Sequence, residues 1–155
     1  MLAQIENYGG SAPFCDMPKD ATISNHELRH GDVLVFATDG LWDNLTSQEV
    51  LRIVSENMIT LGGWTAEQRT GVSISEALAK VTEESSNVGP EGPLQTSLAV
   101  AITRAAKWAS MNTKRDGPFA KEVQKSYPSE RFTGGKVDDI CVVVAIPIEG
   151  GAIGT

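Results

Sequence analysis

Val33-Leu34-Val35-Phe36-Ala37-Thr38-Asp39-Gly40 and, far downstream, Asp138-Asp139-Ile140-Cys141-Val142-Val143-Val144-Ala145-Ile146 are the two most apolar stretches of the chain. Each carries an acidic residue at one end. Five apolar residues in a row, bounded by His30-Gly31-Asp32 before and Asp39-Gly40 after, suit a strand buried on both faces. The second run, closed by Pro147, reads the same way. If the two strands are antiparallel neighbours, the end of one lies beside the start of the other, and Asp39 meets Asp138 at one sheet edge. Upstream, residues 21–28 alternate loosely, as an exposed strand does, and are expected to form a hairpin with the first run.

The segments between the two runs read mostly as helix. Thr46 and Glu49 have the spacing of a capping box, and Val50, Leu51, Ile53, Val54 and Met58 then share one face, with Gly62-Gly63 ending the helix. Ser73 and Glu76 repeat the signature before Ile74, Ala77, Leu78 and Val81, stopped by Gly89-Pro90. A third helix is expected from near Thr96-Ser97, with Leu98, Ala101, Ile102, Ala105 and Trp108 inward. Asp116-Gly117-Pro118 opens a short helix through Phe119 and Val123 that Pro128 stops. Trp42 is expected to pack beneath the Asp39 loop. Trp64 is given no role, Lys114-Arg115 reads as a solvated helix end, and His26 and His30 read as surface groups. The order of strands, helices and strand makes an α+β fold, a sheet with helices on a face.

The chain has 155 residues, enough for one domain or part of one. With 13 Lys+Arg against 20 Asp+Glu its net charge is −7, which argues against broad nucleic-acid binding, where clustered cations must meet phosphates. No apolar run is long enough for a transmembrane helix, and the first residues resemble neither a secretory signal nor a transit peptide. Two cysteines, Cys15 and Cys141, are too few for a disulfide framework, and Cys141, inside an apolar run, reads as a buried reduced thiol.

Asp39 and Asp138, converging with no Lys or Arg counted between them, repel each other. A hard divalent cation such as Mg²⁺ or Mn²⁺ relieves that repulsion and prefers oxygen ligands. Zinc is disfavoured, because His26 and His30 are the only histidines and no cysteines are paired. Each element also has a plainer reading. Asp39-Gly40 alone is a turn dipeptide, Asp138-Asp139 alone is a solvated strand cap, and Asp43-Asn44 alone serves the free N–H groups of the next helix. The joint pattern strengthens the case for a metal beyond what either pair gives alone, and leaves the plainer readings open.

The stretch Gly31–Asn44, ending Thr38-Asp39-Gly40-Leu41-Trp42-Asp43-Asn44, resembles the late metal-binding motif of the metal-dependent Ser/Thr protein phosphatases of type 2C (PPM). Asp138-Asp139-Ile140-Cys141-Val142-Val143-Val144 is similar to that family's last motif, in which an acidic pair opens the final core strand. The likeness runs from about residue 14 to 147. Lys114–Ala120 and the Asp16…Pro18…Asp20-Ala21 segment are most similar to the branch often found in mitochondria, which implies a mitochondrial location. By that resemblance Asp39 and Asp138 are direct metal ligands, Asp43 matches a site for an additional metal, and Asp139 is an additional ligand or a supporting group. The implied chemistry is hydrolysis of phosphoserine and phosphothreonine in phosphoprotein substrates by a water bridging two Mn²⁺ or Mg²⁺ ions, without a phosphoenzyme.

The resemblance also implies what the 155 residues lack: an early Arg for the phosphate, a Glu-Asp pair, and an Asp-Gly whose aspartate bridges both metals. The other Asp-Gly here is Asp116-Gly117, in the wrong context. The expected organisation is a loop or strand remnant at 1–13, the C-terminal part of a single phosphatase domain at 14–148, and a flexible tail at 149–155. The expected fold is part of a β-sandwich flanked by helices, an incomplete type 2C fold with apolar strand faces open. Two further readings stand beside the enzyme: a non-catalytic binding or regulatory fragment, and an acidic cation-binding protein of other ancestry.

Overall fold

The structure, a computed structural model, describes residues 17–68 and 71–149. Expectations for residues 1–16, including Cys15 and Asp16, and for the tail from 150 onward fall outside the described residues. After a short 3₁₀ turn at Pro18–Asp20 come β1 (Leu34–Ala37), α1 (Asp39–Trp42), α2 (Ser47–Thr60), β2 (Trp64–Glu67), β3 (Gly71–Ile74), α3 (Leu78–Thr82), α4 (Leu94–Met111), α5 (Pro118–Ser126) and β4 (Val142–Ala145).

The two apolar runs pair as antiparallel neighbours, with Leu34 opposite Ala145, Phe36 opposite Val143 and Ala37 opposite Val142. Their burial differs from the expectation. Val35, Ala37, Val142 and Val144 pack against the core, while Phe36 and Val143 are 57% and 55% exposed. Successive strand residues point to opposite faces, and among the described residues the helices cover one face only. For the same reason Cys141, in step with Val143, is exposed rather than buried. The alternating segment 21–28 forms no strand and is exposed throughout, so the expected hairpin is absent.

α4 is the backstop of the molecule. Leu94, Leu98, Ile102, Ala106 and Ala109 form one inward row at helical spacing, meeting Leu41 of α1, Val50, Val54 and Met58 of α2, and Leu78 and Val81 of α3. Trp108 stands off that row, and at 65% exposed it is on the surface, contrary to the sequence expectation. The helix also starts two residues earlier than the sequence suggests, after Pro93.

The capping box at α2 forms as expected: the Glu49 N–H donates to the Thr46 hydroxyl and the Thr46 N–H to the Glu49 carboxylate. The second box does not. Ser73 and Ile74 are drawn into a hairpin in which Trp64 faces Ile74 and Thr65 faces Ser73, leaving only Leu78–Thr82 helical. A ladder of backbone bonds outweighs a local capping preference. α5 begins at Pro118 as expected, with Gly117 at its N-cap.

This burial sets two stability outcomes, read by urea unfolding followed by circular dichroism. Leu98→Ala, emptying a fully buried site in the first half of α4, should cost about 3 kcal/mol. Trp108→Ala should cost under about 1 kcal/mol, because little of that ring is buried.

Candidate metal centre

The pairing of β1 with β4 carries Asp39 and Asp138 to the same end of the sheet. Beyond the last ladder pair the strands are stitched by Thr38: its N–H donates to the Cys141 carbonyl at 3.1 Å, its hydroxyl donates to the Asp139 carbonyl at 2.9 Å, and that hydroxyl accepts from the Cys141 N–H at 3.1 Å. Gly40 allows the close approach. A Cβ there would stand 2.4 Å from the Asp139 carbonyl oxygen, so any side chain would force the segments apart.

α1 then brings in a third acid. It is one turn long, and the Asp43 N–H donates to the Asp39 carbonyl at 2.7 Å, so residues 39 and 43 lie one above the other on the same side. One carboxylate oxygen each from Asp39, Asp43 and Asp138 falls within 4.8 Å of the others. Asp39 is the outermost, its side chain 72% exposed, against 23% for Asp43 and 33% for Asp138. Asp139 does not join this group; it is exposed, and its N–H donates to the Asp138 carboxylate at 2.9 Å.

A cation that the sequence reading did not count stands among the three acids. The Lys136 ammonium donates to Asp43 Oδ2 at 2.6 Å, lies 2.9 Å from Asp138 Oδ2 and 4.0 Å from Asp39 Oδ2, and rests 4.9 Å from the centre of the Phe119 ring. Hydrogen bonds to Asp43 and then Asp138 push its pKa up, and the Lys136 hydrogen bond holds the Asp138 carboxyl below its ordinary range. Lys136 stands two residues before Asp138, and in an extended segment such residues share a side. That spacing was a legible signal.

Asn44 fixes where Lys136 sits. It is fully buried, its amide donates to the carbonyls of Gly40 at 2.9 Å and Lys136 at 2.8 Å, and its carbonyl accepts from the Lys136 N–H at 2.9 Å. The plain reading of Asn44 as a helix cap is therefore replaced: Thr46 caps α2, and Asn44 joins two distant segments. Asp116 prepares the same approach by accepting from the Gly134 N–H at 2.7 Å and from Gln124 at 2.9 Å. Gly135 lies so close to the end of α4 that a Cβ would come within 2.1 Å of the Ala109 carbonyl oxygen.

Arg115 is not a solvated helix end. It donates to the Asn44 main-chain carbonyl at 2.7 Å and to Glu49 at 2.5 Å, tying the loop after α4 to the start of α2. Burial works against the charged Glu49, but hydrogen bonds from Arg115 and from Thr46 outweigh it and bring its pKa down from 4.5 to about 2. Trp42 is 37% exposed and so only partly packed. His26 is exposed, His30 accepts from the Glu149 N–H, and the Trp64 indole donates to the Gly31 carbonyl.

The donor set fits a hard divalent cation: three carboxylates, no sulfur or imidazole, with Asp39 open to solvent. These acids could hold Mg²⁺ or Mn²⁺.

Two outcomes follow from the scaffold. Asn44→Ala should destabilise the chain by about 2–3 kcal/mol, because it leaves the buried carbonyl of Gly40 and the partly buried backbone groups of Lys136 without their partner; urea unfolding checks this. A carboxyl with a depressed folded-state pKa contributes stability above its unfolded value and loses it on acidification. Thermal melts should therefore drop as pH falls from about 4.5 toward about 2, and the drop should be smaller in Glu49→Gln.

No protein-family model matches the chain. Among curated proteins it is 30% identical over 142 residues to a probable protein phosphatase 2C 80 of Arabidopsis thaliana, a match covering 92% of this chain and 25% of that protein. It is 31% identical over 131 residues to the protein phosphatase PTC7 homolog fig of Drosophila ananassae, covering 84% of this chain and 30% of the relative. Among solved structures it superposes on the photosystem II phosphatase PBCP with a TM-score of 0.56 at 21% identity, covering 88% of this chain and 44% of the other. The chain thus spans less than half the length of each of these proteins. The two ordered acidic motifs and these alignments together support the type 2C (PPM) protein phosphatase family for this chain, and the superposition shows a fold shared with part of a phosphatase of that kind.

Proposed function

We propose that the chain is one part of a metal-dependent protein phosphatase acting on phosphoserine and phosphothreonine, and that it contributes Asp39 and Asp138 as ligands, with Asp43 as a further ligand and Asp139 in support. The observation that carries this reading is the convergence of three carboxylate oxygens within 4.8 Å at the paired ends of β1 and β4. When bound, Mg²⁺ or Mn²⁺ supplies charge neutralisation at phosphoryl oxygens and lowers the pKa of a coordinated water. The chain's own residues orient that site. Thr38 and Gly40 set the approach of the two acidic segments, Asn44 fixes their spacing, and the exposed side of Asp39 leaves room for a phosphorylated side chain. The mitochondrial compartment implied by the resemblance belongs to the same proposal, as does the reading of 14–148 as one unit.

A specific observation favours a second reading, a fragment that keeps the fold without the chemistry. Asp116, the aspartate of the other Asp-Gly pair, is committed to Gly134 and Gln124, and it is not part of the acidic group. A two-metal site therefore needs a bridging carboxylate from elsewhere. Both readings meet in Mn²⁺-dependent phosphate release from a phosphothreonine peptide. The 155 residues alone should give no appreciable turnover. A product that also contains a bridging Asp-Gly segment should turn over, with Asp39→Ala or Asp138→Ala lowering kcat at least about a hundredfold. Inactivity of that longer product would favour the non-catalytic reading.

A further inference from the structure

Lys136 makes demands that a solvated surface lysine does not. Its backbone is held on both sides, N–H and carbonyl, by the buried amide of Asn44, and its ammonium lies over the Phe119 ring. Phe119 is itself placed by the edge-on Phe132 ring, 5.3 Å away, and by its N–H donating to the Asp43 carbonyl. The ammonium is thus delivered to the Oδ2 atoms of Asp43 and Asp138, with Asp39 Oδ2 at 4.0 Å. These belong to the same three carboxylates that converge to offer oxygen ligands.

Two positive groups cannot share those oxygens closely. An ammonium donates one proton per hydrogen bond, whereas a divalent cation needs the same lone pairs and repels a neighbouring unit charge. Lysine suits a reversible role, because its charge rides on a flexible four-carbon stem and can swing away while the backbone stays fixed.

We propose that Lys136 is a built-in counter-ion that competes with the divalent cation: it holds Asp39, Asp43 and Asp138 together in the metal-free chain and leaves Asp43 and Asp138 when the cation enters. It thereby weakens and sets the affinity of the centre, and it is a positioning residue rather than a catalytic one. This inference rests on the metal-site reading above.

The test is calorimetric titration of the full 155-residue chain with Mn²⁺, comparing wild type with K136M, K136R and D138N. K136M should bind Mn²⁺ about tenfold tighter or more, because a unit charge at hydrogen-bond distance no longer opposes the cation. K136R, which keeps the charge, should stay at or below the wild-type affinity, and D138N should lose binding in either background. Without metal, K136M should melt at a lower temperature than wild type, and Mn²⁺ should restore it. Equal or weaker binding by K136M, with D138N still abolishing binding, would overturn the counter-ion role and leave the metal site standing. Absence of Mn²⁺ binding in both wild type and K136M would overturn both.

A wild-type measurement covers a K136M chain that does not fold. Reductive methylation mapped by mass spectrometry should modify Lys136 slowly in EDTA and at least about tenfold faster at saturating Mg²⁺, as the ammonium loses its partners. Unchanged protection at saturating Mg²⁺ would overturn displacement.

Discussion

Three carboxylates gathered within 4.8 Å repel one another unless a positive charge stands among them, and the rest of this molecule is arranged around that constraint. In the chain as it folds, the charge belongs to Lys136, which reaches Asp43 and Asp138 at hydrogen-bond distance. Its placement is a matter of backbone more than side chain. Asn44 grips the peptide groups of Lys136 on one side and the carbonyl of Gly40 on the other, so the two acidic motifs cannot separate without breaking buried hydrogen bonds.

Around that grip the fold supplies rigidity in layers. α4 presents a continuous apolar row to α1, α2 and α3, and its small residues near the end let Gly135 pass close by on the way to Lys136. Arg115 joins the loop beyond α4 to the capped start of α2 and to the carbonyl of Asn44. The sheet is thinner. β1 and β4 cover the core with one face and leave Phe36 and Val143 on the other, open among the described residues. An apolar face of this kind accords with a chain that spans 44% of a solved relative of the same fold.

Much of this was legible locally. The two apolar strands with their acidic ends, the capping box at Thr46 and Glu49 and the start of α5 at Pro118 all follow from short-range patterns, because turn, cap and strand signals act over a few residues; the meeting of Asp39 with Asp138 was conditional on the two strands pairing, which they do. Errors came where a distant partner decided the outcome. Ser73 and Glu76 look like a helix start until Trp64 and Thr65 pair with the same segment. Trp108 looks inward until the row through Leu98 and Ile102 fixes which side of α4 faces the core. Cys141 looks buried until it is clear that helices cover one face of its strand.

By itself the sequence determined the two apolar strands and the capped start of α2 near the site, the acidic character of the two strand ends and the family they resemble, since each resides in contiguous residues. Only the tertiary structure decided that Asp43 joins Asp39 and Asp138, that Asp139 does not, and that Asn44 and Lys136 govern the centre. The physical reason is range. Hydrogen bonds and Coulomb forces act over a few ångströms of space, and the groups they join here lie more than ninety residues apart along the chain.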